Sequence, residues 1–361
     1  MSVPQPRKVW AIAHTGTLNN LKFEDDLLPP PPPDNVRVKV HCIGLNFADI
    51  FAILGVYSAT PKEKFIPGLE FSGVVEAVGE NVDQKKWLGK RVYGVTRFGG
   101  FATFINQTIV YVKETPERWT DQEACAFLAQ GMTAFYALKE LGALKPKQTV
   151  LVHSAAGGVG LLALAILAKF QAKAIGTVGN NSKLDLLNTR YGDNPNFSFI
   201  LRDPARDFEE RTKKELEKMG EEGFDIVLDS IMGDWFWPNY RLTKSAGRLI
   251  AYGSASLTPA GNLHPIWNIF SWIKLAWKYF QRPKFDPMNM IKDNKGILGF
   301  NLIHIYHQED KLTSIFDELS SLELDPPLVG HEFPLEQVHE AIQLLQSGKT
   351  VGKVVLNVEH V

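Results

Sequence analysis

Residues 150–169 read VLVHSAAGGVGLLALAILAK. The apolar run Val150–Val152 enters a knot of small residues, and an Ala/Leu-rich stretch follows it. Ala155, Gly157 and Gly160 set the pattern A-x-G-x-x-G between a strand and a helix. That spacing lets backbone N–H groups and the positive end of the helix dipole approach an anion closely. A diphosphate satisfies both. Ala155 replaces the first glycine of the usual fingerprint, so the weight rests on the strand-turn-helix context and on a second strand ending at Val178. The expected cradle is Ala156, Gly157, Gly158, Val159 and Gly160.

Outward from the turn, segments alternate in type. Helical ALKELGAL precedes it; strand AKAIGTVG, a charged helix near Arg211 to Met219, and strands FDIVLDS, GRLIAYGS and GILGFNL follow. Strands alternating with helices predict an α/β fold, a doubly wound parallel (Rossmann) sheet. The first 112 residues have another texture. VRVKVHC alternates, with Val36, Val38, Val40 and Cys42 on one face, and short Gly-punctuated runs follow it. This predicts a β-rich, antiparallel, barrel-like module. Near the C-terminus Val338, Ala341, Ile342 and Leu345 mark a helix stopped by Gly348 before the strand KVVLNV.

The chain has 361 residues and a net charge of -1, from 39 Lys and Arg against 40 Asp and Glu. That balance offers no global field for nucleic acid or anionic lipid. Cys42 and Cys125 are the two cysteines, too few for a disulfide framework or a four-cysteine zinc site. The opening MSVPQPRKVW has no signal-peptide order, and the run Leu161–Ala168 is too short to span a bilayer. The expectation is a cytoplasmic protein. Ser154 and Ser254 lie outside any G-x-S-x-G, which argues against hydrolysis. Pro29–Pro33 reads as a stiff polyproline connector between strands.

The end of the second strand selects the dinucleotide. A free ribose 2′-OH calls for Asp or Glu there, but the sequence is TVGNNSK, with Thr177 and the cation Lys183. Arg202, after the third strand, supplies a second cation. NADPH is the expected cofactor, on a 2′-phosphate held by these residues.

GLNFADIFAILGVY, PGLEFSGVVEAVG, VLVHSAAGGVG, DIVLDSIMGD, LGFNL and VGKVVL, in that order, resemble the zinc-independent quinone oxidoreductase branch of the medium-chain dehydrogenase/reductases. Within that branch the similarity is greatest to a group of vesicle-membrane proteins. The resemblance covers nearly the whole chain. It implies a GroES-like catalytic domain from about Met1 to Phe127 and Asn301 to Val361, with a Rossmann domain of residues 128–300 inserted in it. Alcohol-dehydrogenase relatives carry zinc ligands where this chain has Asn46 and Leu69, so no zinc is expected.

The implied reaction is hydride transfer to a quinone or an α,β-unsaturated carbonyl, a small-molecule acceptor whose own conjugation takes up charge. Asn46, Asp49 and Tyr57 are the candidate catalytic residues, with Tyr57 the proton donor and Asp49 a cap or orienter. Phe51 stands where quinone reductases of the branch often have Tyr. The resemblance places Asn46, Tyr252, Gly253, Ser254, Phe300 and Lys353 beside the cofactor and implies a homodimer. A rival reading rests on IWNIFSWIKLAWKYFQR, residues 266–282, whose interleaved Trp and Lys suit a peripheral membrane contact. On that reading the protein is a lipid-binding or trafficking protein retaining NADPH as a structural ligand.

Overall fold

The computed structural model describes residues 4–257, 280 and 283–359. Three sheets form. Strands β1 (Gln5–Ile12) and β2 (Leu21–Leu28) make an antiparallel ribbon. A second sheet joins β3 (Asn35–Gly44), β4 (Glu70–Val78), β5 (Arg91–Val95), β6 (Phe104–Thr108) and β7 (Val112–Glu114). The third contains β8 (Thr149–Val152), β9 (Lys173–Val178), β10 (Phe197–Leu201), β11 (Phe224–Asp229), β12 (Thr243–Ala251) and β13 (Gly296–Gly299). The chain then returns to the second sheet with β14 (Val329–Pro334) and β15 (Lys353–Asn357).

The third sheet is parallel throughout, in the order β10-β9-β8-β11-β12-β13. The strand order reverses between β8 and β11, the switch point where open α/β sheets bind nucleotides. Its central strands are sealed: Val150, Leu151, Val152, Ile226, Val227 and Leu228 are each 0% exposed. Burial on both faces is why they read as continuous apolar runs rather than alternations.

In β3, half of the alternation holds as expected. Val36, Val38, Val40 and Cys42 have no exposed surface. Arg37, on the opposite face, is also buried, because its guanidinium donates to the Pro29 carbonyl at 3.0 Å. The proline run thus connects β2 to β3 and anchors a buried cation. β15 joins β14 to β3, so the C-terminal strand completes a sheet begun near residue 35.

ALKELGAL departs from the expected α-helix: the Leu128–Phe135 helix continues π-wound from Tyr136 to Leu141. The Glu309–Ser321 helix buries Leu312, Ile315, Phe316 and Leu319 in the core that holds the Leu128–Phe135 helix and β8. Residues 266–282 lie outside the described residues, apart from the exposed Phe280. No helix of the described residues is long and apolar enough to cross a membrane.

Candidate active site

The turn after β8 has the geometry its composition implies. Ser154 sits at φ 53°, Ala155 donates to the Thr177 carbonyl at 3.0 Å, and Gly157 caps the Gly158–Lys169 helix. The glycines differ in purpose. A Cβ on Gly160 would lie 2.4 Å from the Ser154 carbonyl oxygen and 2.6 Å from Ala155 Cα, so Gly160 serves close packing of helix on turn. A Cβ on Gly157 would meet only the Ser154 oxygen, at 3.3 Å, which leaves its outer side open to a ligand. From the other part of the chain, Gly352 donates to the Ala156 carbonyl at 2.8 Å and clamps the turn. Ala156 is 1% exposed, so it contributes backbone alone; Gly158 and Val159 are half-buried at the helix start.

Beyond β9 the two cations are not equivalent. The Arg202 guanidinium lies 5.0 Å over the Trp235 ring and would come within 3.2 Å of a Cβ on Gly179. Its Nε is buried without a hydrogen-bond partner, and its nearest acid, Asp203, is 3.7 Å away. Lys183 donates to the Gly348 carbonyl at 2.6 Å. Burial lowers the pKa of both groups, and the Arg202 charge lowers Lys183 further. Asn180 accepts the Lys183 amide at 3.1 Å, so the residue where a ribose-binding acid would stand is a helix cap. Thr177 was expected to contact the cofactor, but it is fully buried and its hydroxyl pairs with His153 at 2.7 Å. Its side chain is turned inward.

Asn46 is held by a buried cluster that crosses the whole sequence. Its Nδ2 donates to Glu70 Oε1 at 2.9 Å, and its Oδ1 accepts from Gln130 at 2.7 Å and Lys353 at 3.0 Å. Lys353 also pairs directly with Glu70, at 4% and 1% side-chain exposure, and Glu70 Oε2 accepts the Ala129 amide at 3.1 Å. Lys353, expected at the cofactor, gives two of its three ammonium hydrogens to Glu70 and Asn46. Asp49 closes the start of the Phe47–Ile53 helix. It is fully buried and accepts the amides of Asn46 (2.8 Å) and Gly68 (3.2 Å), the cap it was expected to be. Burial pushes its pKa up to about 7 against those two hydrogen bonds.

Tyr57 is bonded to a residue from the far end of the chain. Its hydroxyl donates to Asn301 Oδ1 at 2.8 Å, and burial pushes the phenol up to about 12. Beside it Ser58 Oγ and His304 Nε2 are 2.9 Å apart. Phe300 packs between Tyr136, 5.1 Å away, and Tyr252, 6.1 Å away. The Tyr252 amide donates to the Asp229 carbonyl at 3.0 Å, and a Cβ on Gly253 would sit 2.9 Å from the Ser230 carbonyl oxygen. Tyr252, Gly253 and Ser254 are thereby half-buried at the end of β12, above the switch point. Glu70, Gln130 and Asn301 escaped sequence reasoning, although a charge inside PGLEFSG was a signal for the first.

Residues 32–140 match the family described as Alcohol dehydrogenase GroES-like domain, and residues 199–356 match Zinc-binding dehydrogenase. The synaptic vesicle membrane protein VAT-1 homolog of Rattus norvegicus is 30% identical over 356 residues, covering 97% of this chain and 84% of that protein. The chain belongs to the VAT-1 and quinone oxidoreductase branch of the medium-chain dehydrogenase/reductases. Its homolog in Danio rerio is 31% identical over 331 residues, covering 90% of this chain, which spans 64% of that longer protein. A mycobacterial protein solved with NADPH has TM-score 0.80 at 26% identity, over 97% of this chain and 99% of that one. The CurK enoyl reductase has TM-score 0.77 at 26% identity, over 98% and 100%. The family label names zinc, and the donor set here does not fit it. Asn46 has both amide atoms engaged, Leu69 offers no donor, and no group of three metal-binding side chains occurs among the described residues.

Proposed function

We propose that the protein is a zinc-independent, NADPH-dependent reductase that adds hydride to a quinone or an α,β-unsaturated carbonyl, with Tyr57 as proton donor. The observation that carries this reading is the half-buried Arg202, whose Nε is buried and unpartnered, beside Gly179, past a glycine turn and with no acid at the end of β9. A free 2′-OH gives such a guanidinium nothing to bind; a 2′-phosphate gives it a charge-assisted partner. The NADPH-bound mycobacterial relative and the enoyl reductase relative support the same assignment.

The residues divide the work. The Gly157 amide donates to the Ser154 carbonyl at 2.9 Å, so the first-turn amides of the Gly158–Lys169 helix would receive the diphosphate, and Arg202 with Lys183 would neutralise the 2′-phosphate. Bound NADPH supplies the hydride, and the acceptor's own conjugation spreads the incoming charge without a Lewis acid. Tyr57 holds its proton at neutral pH because its phenol is pushed up to about 12. It turns that proton from Asn301 to the developing oxyanion, which it stabilises as a single donor in a low-dielectric site. Asn46, fixed by Glu70, Gln130 and Lys353, orients the ring-bearing end of the cofactor.

Titration of protein fluorescence with NADPH and with NADH tests the carrying observation. NADPH is expected to bind much more tightly; equal affinities would overturn the 2′-phosphate assignment. NADPH oxidation is then measured across quinones, enals and enoyl thioesters. Turnover of any one supports reduction, and none at all favours the lipid-binding alternative.

A further inference from the structure

Four polar side chains are completely buried at the carboxyl ends of the parallel strands: His153 after β8, Thr177 in β9, Asp229 closing β11, and Asn239 on the Phe236–Leu242 helix. Each is 0% exposed. Burying polar groups is costly unless all are bonded, and here they bond one another. His153 Nδ1 is 2.7 Å from Thr177 Oγ1, and Nε2 lies 2.8 Å from Asn239 Nδ2 and 3.0 Å from its Oδ1. Asn239 Nδ2 also reaches Asp229 Oδ2 at 3.4 Å.

Chemistry assigns the protons. A carboxylate only accepts, so Asn239 turns its NH₂ toward Asp229 and gives its other hydrogen to Nε2. Nε2 is then an acceptor, and the ring proton sits on Nδ1, donated to Thr177.

Thr177, Asp229 and the residue after His153 also fix the loops above them. Thr177 holds the glycine turn through its carbonyl, 3.0 Å from the Ala155 amide. Ser154, next to His153, accepts from the Ser230 hydroxyl at 3.0 Å. Asp229 Oδ1 accepts the amides of Ile231 and Met232, both at 2.8 Å. That bond pair holds Met232 at φ 62°, ψ -151°, a region essentially reserved for glycine. Strain of this kind persists only where surrounding bonds over-determine it.

We propose that His153 is a positioning residue for cofactor binding. Its neutral, Nδ1-protonated ring never touches the ligand but sets the loops after β8, β9 and β11 in the mutual register one dinucleotide requires. This rests on the NADPH assignment above. Around the ring, the charged groups are Asp229 from β11 and Arg202 after β10; Thr177, Asn239 and the Phe208 ring are uncharged. Burial lowers the His153 pKa, with Asp229 and the Asn239 hydrogen bond opposing and Arg202 adding to the effect. Protonation would move the Nε2 bond from Asn239 Nδ2 to its Oδ1 and loosen the hold of that amide on Asp229. Cofactor affinity should therefore fall as the pH drops into the acid range.

Full-length wild type, His153→Leu and His153→Gln are titrated with NADPH and with 2′,5′-ADP, and their apo thermal midpoints are recorded. His153→Leu leaves two buried groups unbonded and should weaken NADPH by about ten- to a hundredfold. It should weaken 2′,5′-ADP less, because that probe spans only one side of the relay. His153→Gln can bond both neighbours and should recover most of the loss. A lowered midpoint with NADPH affinity unchanged would mean a merely structural role and would overturn the proposal, as would equal losses in both variants.

If His153→Leu does not fold, wild type and His153→Gln are compared from about pH 8 to about pH 5.5. Both carry the titration of the 2′-phosphate itself, near pH 6. Only wild type should show an additional loss; parallel curves overturn the proposal. Wild type that binds no NADPH at all overturns the reductase assignment instead.

Discussion

Two pairs of charged groups flank the nucleotide turn, and they are opposites. Glu70 and Lys353 are nearly inaccessible, and Asn46, Gln130 and the Ala129 amide complete their bonding. Arg202 and Lys183 are two cations whose one ion pair is the long Arg202–Asp203 contact at 3.7 Å; Arg202 bears an unpartnered buried Nε, and Lys183 donates to a backbone carbonyl. The first pair is complete without a ligand. The second keeps a buried donor to offer an anion. Buried charge tells little about function until one asks whether it is already neutralised.

The sharpest way to break this contrast is to remove one member of the complete pair. Lys353→Met leaves the Glu70 carboxylate buried and unpaired and should cost about 3–5 kcal/mol of stability in urea unfolding. A cost below about 1 kcal/mol would show the pair to be solvated and the contrast false. Tyr57→Phe tests the proposed proton donor. It should lower kcat about ten- to a thousandfold, with NADPH affinity intact; unchanged turnover removes Tyr57 from the mechanism.

Arg202→Ala tests the open pair. NADPH should bind about ten- to a hundredfold more weakly while NADH is unaffected, since only the 2′-phosphate loses its partner. Equal losses for both would place Arg202 elsewhere. Asp49 belongs with the complete pair, and its carboxyl, raised to about 7, sets a pH dependence. A carboxyl with a raised folded-state pKa contributes stability fully present below its unfolded value, lost as pH rises through about 7. Stability should fall by about 1 kcal/mol from about pH 6 to about pH 8, and Asp49→Asn should flatten that slope. The smallest effect is expected at Lys183→Met, only severalfold on NADPH binding. Its ammonium must first give up the Gly348 carbonyl, so much of what a phosphate would gain is already spent.

How much of the site was legible depended on sequence separation. The glycine turn and the acid-free end of β9 were readable because each is a local pattern whose chemistry lies within a few residues, whereas Tyr57 was singled out by the family resemblance. Thr177 was assigned outward because TVGNNSK says nothing of His153, 24 residues earlier, beneath it. Lys353 was assigned to the cofactor because its partner Glu70 is 283 residues away. Asn301, which takes the Tyr57 proton in the ground state, lies 244 residues from that tyrosine. An amide in LGFNL carries no mark of the loop it will meet. The quoted Trp-rich stretch remains a sequence observation.

The amino-acid sequence by itself determined the parallel sheet, the diphosphate turn and the absence of a ribose-binding acid. These follow from hydrophobic period, small-residue spacing and the types of neighbouring side chains, all short-range quantities. Only the tertiary structure decided which charges are spent and which are free. Neutralisation depends on a partner within about 3 Å in space, and β15 delivers one such partner from the far end of the chain.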